Sequence, residues 1–152
     1  MSMKKVELYT DGAGSGNPGP GGFGVVLTYK DKRKEISRGY KNTTNNRMEL
    51  LAAIEGLRLL KEPCEVSLFS DSKYLVDAIS KGWVYNWKKK GWKKSDNTPA
   101  MNVDLWEAML PLLKYHEVKL NWVKGHAGHP ENERCDELAT SAIRGGELLE
   151  DL

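Results

Sequence analysis

The sequence predicts an α/β protein: a five-stranded mixed sheet, its first three strands antiparallel, with helices on both faces. Three observations lead there. Three short runs with strand-like alternation precede any helical periodicity. From about residue 44, helical stretches alternate with two further short apolar runs. The chain has 152 residues, which suits one domain built around one core.

Residues 4–11 set Val6, Leu8 and Thr10 against Glu7, Tyr9 and Asp11, the alternation of a half-buried strand. The glycine-rich segment 12–22 then interrupts regular structure and reads as a tight turn with exposed backbone amides. Residues 23–28 and 35–40 read as two more strands, joined as a hairpin across Lys30-Asp31-Lys32-Arg33. A helix is expected from about Thr44 or Asn45, both suited to N-capping, to about Leu60. Its core stripe is Leu50, Ala53, Ile54, Leu57 and Leu60, while Glu49 shares a stripe with Ala52, Ala53 and Gly56. Small residues there allow close approach to a sheet and turn Glu49 inward.

Pro63 closes that stretch. A fourth strand over 66–70 leads to Asp71, and a helix over about 72–80 follows. The Trp- and Lys-rich stretch to about Pro99 reads as a helix and loop, and 102–113 as a helix with Val103, Leu105, Trp106, Met109, Leu110 and Leu113 apolar. Residues 117–123 alternate as a fifth strand. A last helix over 132–144 buries Cys135, Leu138, Ala139, Ala142 and Ile143. The short acidic stretch from Glu147 to Leu152 is assigned no element.

Composition narrows the function classes. No run reaches the apolar length of a membrane span, and the first residues lack the apolar core of a signal peptide, so a cytoplasmic location is expected. Cys64 and Cys135 have neither metal-ligand spacing nor a disulfide framework, and are expected to be reduced and buried. Net charge is only +2, yet Lys81, Lys88, Lys89, Lys90, Lys93 and Lys94 fall in a stretch without acids, interleaved with Trp83, Tyr85, Trp87 and Trp92. A dense local cation patch in a nearly neutral chain points to a polyanionic partner.

Four acids carry the chemistry: Asp11, Glu49, Asp71 and Asp136. Asp11 and Asp71 are expected where the first and fourth strands end, and Glu49 and Asp136 just inside the first turns of helices. Open α/β sheets bind ligands at the carboxyl ends of their strands. Carboxylates gathered there repel one another unless a cation neutralises them. An all-oxygen donor set of this kind suits Mg²⁺, whereas the scarcity of cysteine and histidine argues against Zn²⁺.

Thr10-Asp11-Gly12, Asn45-Asn46-Arg47-Met48-Glu49-Leu50, Ser70-Asp71-Ser72 and the block from Gly125-His126-Ala127-Gly128-His129-Pro130 to Asp136-Glu137-Leu138-Ala139 resemble bacterial type 1 ribonuclease H, in that family's order. The resemblance implies one ribonuclease H domain over 1–152 with a basic protrusion at about 81–99. It implies hydrolysis of the RNA strand of RNA/DNA hybrids, leaving 5′-phosphate and 3′-hydroxyl ends. Asp11, Glu49, Asp71 and Asp136 carry over as ligands of two Mg²⁺ ions, with Mn²⁺ as the alternative. His126 carries over as the loop histidine that assists proton movement or product release.

Substrate positions also carry over. Asn17, Asn45 and Asn46 match positions lining the minor groove, where side-chain amides can test for 2′-hydroxyls. Thr44 and Asn86 resemble a pocket for a DNA-strand phosphate, with helix capping the competing role for each. Trp83, Trp87, Lys88, Lys89 and Lys90 belong to the protrusion, where lysines neutralise phosphates; Trp87 or Trp92 is also expected to hold that element together by packing. His116 and His129 read as structural or surface residues. A monomer is expected. The rivals are a non-catalytic hybrid-binding module and an integrase-like DNA-processing enzyme on the same fold.

Overall fold

The computed structural model describes residues 3–16, 18–125, 129–145 and 147–151. Strands β1 (Lys4–Gly14), β2 (Gly19–Tyr29) and β3 (Lys32–Thr43) come first, then helix α1 (Asn45–Arg58) and β4 (Cys64–Ser70). Helices α2 (Lys73–Ser80), α3 (Trp83–Lys89) and α4 (Val103–Tyr115), strand β5 (Glu117–Trp122) and helix α5 (Pro130–Arg144) complete the chain. The sheet order is β3-β2-β1-β4-β5. β1 pairs antiparallel with β2 and β2 with β3, whereas β1–β4 and β4–β5 are parallel. This is the mixed five-stranded sheet read from the sequence.

The glycine-rich segment departs from expectation. β1 and β2 run on through it, with Gly12 opposite Phe23, Ala13 opposite Gly22 and Gly14 opposite Gly21. Its glycines serve close packing. A Cβ on Gly12 would lie 2.5 Å from the Glu49 backbone nitrogen, and one on Gly22 would lie 2.6 Å from the Ala139 carbonyl oxygen. Gly12 therefore lets α1 press on one side of the sheet, and Gly22 lets α5 press on the other. Glycine content alone does not distinguish a flexible turn from such a seam.

Thr44 caps α1, its Oγ1 accepting from the Arg47 N–H at 3.2 Å. Leu50, Ala53, Ile54 and Leu57 are fully buried in the larger core with Leu8, Phe23, Val25, Leu68, Leu75, Trp106 and Met109. Burying a leucine or isoleucine contributes about 1.5–3 kcal/mol relative to exposure. Leu60 is only partly buried, because the helix ends at Arg58 with Leu59 as its C-cap. On the α5 side a smaller cluster joins Tyr9, Val26 and Cys135, with Phe69 and Leu138 against it. Ala139 is fully buried, whereas Ala142 and Ile143 are half-buried at the margin.

Both cysteines are free and buried. His116 is buried, its Nδ1 accepting the Cys64 backbone N–H at 3.1 Å, a structural role. Among the described residues, no helix is long and apolar enough to cross a membrane. Within the stretch after α5 that the sequence left unassigned, Leu149 is docked. Leu149 donates its N–H to Gly39 and accepts from Lys41, each at 2.8 Å, covering part of the β3 edge.

Candidate active site

The parallel register of β1 and β4 sets the site. Tyr9 is level with Phe69, so Asp11 and Asp71, each two residues further on, reach the same level. Asp71 follows the last residue of β4, but Asp11 lies inside β1, opposite Gly24, because the strand continues past it. Glu49 arrives from the second turn of α1, just past the first-turn position expected, and is held close by the Gly12 contact. Carboxylate oxygens of Asp11, Glu49 and Asp71 all lie within 4.8 Å of one another. Asp136 completes the cleft lining from α5. That helix begins at Pro130, so Asp136 stands in its second turn, deeper than the first-turn position expected.

These carboxylates are withdrawn from water, with Asp11 8% and Glu49 4% exposed. Burial, followed by the charges of Asp71 and Asp136, pushes the Asp11 carboxyl up to about 8. Burial and the charges of Asp11 and Asp71 push Glu49 well above the usual carboxylate range. The Gly12 N–H donates to Asp11 Oδ1 at 3.0 Å, but Glu49 Oε1 is buried with no hydrogen-bond partner. An unpartnered buried oxygen beside two other carboxylates suits a divalent cation, which takes oxygen ligands and offsets the repulsion. The donor set is entirely oxygen, so it fits a hard ion.

The cleft has a volume of about 500 Å³, and Gly12, Ala13, Gly14, Asn45, Asn46, Ser72, Lys73 and Tyr74 share its walls with the acids. Asn45 and Asn46 are exposed at the start of α1. Thr44 acts as the helix cap. A second recess, reaching Asp11 and Asp71 from the other side, is lined by Lys124, Gly125, His129, Asn132, Glu133 and Asp136. His129 caps α5 beside the stacked Tyr9–Phe69 pair, with ring centroids 5.9 and 6.1 Å away. Asn17 and His126 lie outside the described residues.

The Trp- and Lys-rich stretch lines clefts other than the acidic one. Trp83, Asn86, Trp87, Lys90, Lys93, Lys94 and Ser95 line a basic, aromatic cleft of about 580 Å³. Lys88 instead lines a separate groove with Tyr85 and α4, so neighbouring lysines face different surfaces. Trp87 and Trp92 both pack against the main core, and Trp87 meets the buried Trp106 edge-on at 6.2 Å. Each therefore has the packing role expected of at least one. Trp83 is exposed, with Lys81 Nζ 5.4 Å from its ring centroid.

Sequence reasoning passed over Lys73, Tyr74 and Arg47. The first two follow Asp71-Ser72 directly, and that adjacency was the available signal. Arg47 stands inside the Asn45–Glu49 phrase, where the sequence offers no separate signal for it.

Comparison with known proteins agrees with this geometry. The RNase H family model matches residues 3–144. The chain is 60% identical over 143 residues to ribonuclease H of Desulforamulus reducens, covering 94% of this chain and 90% of that one. It is 62% identical over 141 residues to ribonuclease H of Agrobacterium fabrum, covering 93% and 96%. Among solved structures it resembles LC9-RNase H1, a type 1 RNase H with the type 2 active-site motif, with a TM-score of 0.85 at 33% identity, covering 97% of this chain and 75% of that one. RNase H1 from Halobacterium salinarum NRC-1 superposes with a TM-score of 0.71 at 25% identity, covering 93% and 99%. The chain belongs to the bacterial-type ribonuclease H family, ribonuclease HI.

Proposed function

We propose that the protein is an endoribonuclease that hydrolyses the RNA strand of RNA/DNA hybrids, leaving 5′-phosphate and 3′-hydroxyl ends. One observation carries the reading: Asp11, Glu49 and Asp71 converge within 4.8 Å on the floor of a cleft whose rim holds Asn45 and Asn46. A bare scaffold gains nothing from burying Asp11 and Glu49 against each other and the half-buried Asp71. Two Mg²⁺ ions, or Mn²⁺, held by Asp11, Glu49, Asp71 and Asp136 would supply an activated water and stabilise the departing oxygen.

The chain's own residues do the rest. Asp11, Glu49 and Asp71 would hold one ion, and Asp136, with Asp11, would help to hold the other. Asn45 and Asn46, with Asn17, test the minor groove for 2′-hydroxyls through amides that both donate and accept. Thr44 and Asn86 receive a DNA-strand phosphate, Thr44 also serving as a cap. Trp83, Trp87, Lys88, Lys89 and Lys90 grip the backbone through charge and ring contact on one domain that works as a monomer. His126 moves a proton or escorts the product phosphate.

The test is a strand-resolved gel with a labelled hybrid, duplex RNA and duplex DNA, each in Mg²⁺ and in chelator. Cleavage confined to the RNA of the hybrid, and lost in chelator, is expected. Cutting of duplex DNA would favour the integrase-like reading, and binding without cutting would favour the non-catalytic module.

A further inference from the structure

Among the described residues, one ion pair has both side chains nearly removed from water: Arg47 and Asp151, 7% and 9% exposed. Arg47 donates from Nε to Asp151 Oδ2 at 2.8 Å and from Nη2 to Oδ1 at 3.0 Å, a two-pronged fork. Thr43, the last residue of β3, donates its hydroxyl to the same carboxylate. Burial alone would raise the Asp151 carboxyl, but the Arg47 and Thr43 hydrogen bonds hold it below its ordinary range. The docked Leu149 delivers Asp151 to this position.

The other edge of the guanidinium grips Asp104, in the first turn of α4, with bonds of 2.9 and 2.7 Å. Just before it, Asn102 Nδ2 donates to the Tyr74 hydroxyl at 3.3 Å, and Trp106 Nε1 donates to the same oxygen at 3.1 Å. Tyr74 lines one wall of the acidic cleft, and Asn45 and Asn46, immediately before Arg47, line another. Arg47 thus ties together the start of α1, the start of α4 and the segment that carries Asp151.

Buried ion pairs are poor sources of stability, since well-packed apolar residues commonly do as well. What such a pair supplies is geometry. We propose that Asp151 is a positioning residue for hybrid recognition, fixing through Arg47 the Asn45–Asn46 edge of the cleft relative to the wall that carries Tyr74. This rests on the reading that the cleft takes an RNA/DNA hybrid. Glu49 is held independently, by the buried body of α1 and its seam with Gly12. Loss of the Asp151 fork therefore loosens substrate grip more than it disturbs the reacting centre.

The experiment is multiple-turnover cleavage of a hybrid in Mg²⁺ by the full chain, Asp151→Asn and Asp151→Glu, well below each unfolding midpoint. Misplacing a positioning group by a fraction of an ångström to one ångström costs up to about a hundredfold. Since one edge of the guanidinium stays anchored on Asp104, KM should rise roughly threefold to tenfold in Asp151→Asn, with kcat within about twofold. Asp151→Glu keeps the charge and should fall between it and the wild type. A lowered midpoint with unchanged KM, or a fall confined to kcat, would overturn the proposal. If Asp151→Asn does not fold, Asp151→Glu alone decides, because an unchanged KM in it defeats the idea. Failure of the underlying reading would appear separately, as a wild-type enzyme that does not distinguish hybrid from duplex RNA or DNA.

Discussion

Replacing Asp11 by asparagine should stabilise the metal-free protein while destroying its activity. The ligand oxygens of Asp11, Glu49 and Asp71 lie within 4.8 Å of one another. At an effective dielectric constant of 20, two unit charges at that separation repel by about 3.5 kcal/mol. Protonation relieves part of this, and the sign of the pH dependence follows. An unfolded aspartate releases its proton near pH 4. The folded Asp11, raised to about 8 by burial and by Asp71 and Asp136, keeps its proton until about pH 8. Stability of the metal-free wild type therefore falls between these values and levels off above them.

Asparagine has nothing to release, so its advantage grows over that interval. In chelator the gain should be near zero at pH 4 and about 2–3 kcal/mol at pH 9, roughly 5–10 °C in midpoint for a chain of this size. Mg²⁺ should raise the wild-type midpoint more than that of the variant and narrow the gap. Circular dichroism melts at three pH values, with chelator and with Mg²⁺, measure all of this. Hybrid binding should persist while cleavage disappears. An Asp11→Asn protein no more stable than wild type at pH 9 in chelator would refute the electrostatic reasoning, and normal turnover would refute the assigned role.

Replacing Lys88, Lys89 and Lys90 together by alanine should weaken hybrid binding and flatten its salt dependence, each lost phosphate contact removing about 0.7–0.9 from the log–log slope. Because Lys90 shares the cleft of Trp83 and Asn86 whereas Lys88 faces the α4 groove, Lys90→Ala should account for more of the change than Lys88→Ala; equal effects in a salt titration would contradict that division. Gly12→Ala would place a Cβ 2.5 Å from the Glu49 nitrogen and 2.7 Å from the Met48 carbonyl carbon, both backbone. The forced separation of α1 from β1 should cost about 1–3 kcal/mol and lower turnover by roughly tenfold to a hundredfold. Thermal melts and hybrid cleavage together check it, and an unimpaired variant would mean the seam yields freely.

The mixed sheet with three antiparallel opening strands, and the acids placed near element ends, were legible because strand alternation, helix caps and short connections leave their marks in local sequence. Glu49 could be turned inward from the small residues Ala52, Ala53 and Gly56, which are buried in the structure. Three features were not legible. The reach of β1 and β2 through glycines depends on what packs against them, which composition does not encode. Asp136 sits two residues deeper in its helix because Pro130, suited to a first helical position, starts α5 earlier than its apolar pattern. Arg47 gives no periodic signal, since its partners Asp104 and Asp151 are 57 and 104 residues away in the chain.

Where α1 meets β1 at Gly12, the strand lies against the backbone of Met48 and Glu49, with no room for a side chain of its own. The span from Asp11 to Glu49 is therefore dictated largely by peptide geometry, with few rotatable torsions left to drift. Substitutions in the surrounding hydrocarbon interior can then erode or improve thermal resilience while leaving ion spacing almost untouched. For engineering, this divides the molecule usefully: durability can be tuned at interior leucines and valines, provided the contact line between strand and helix is kept bare.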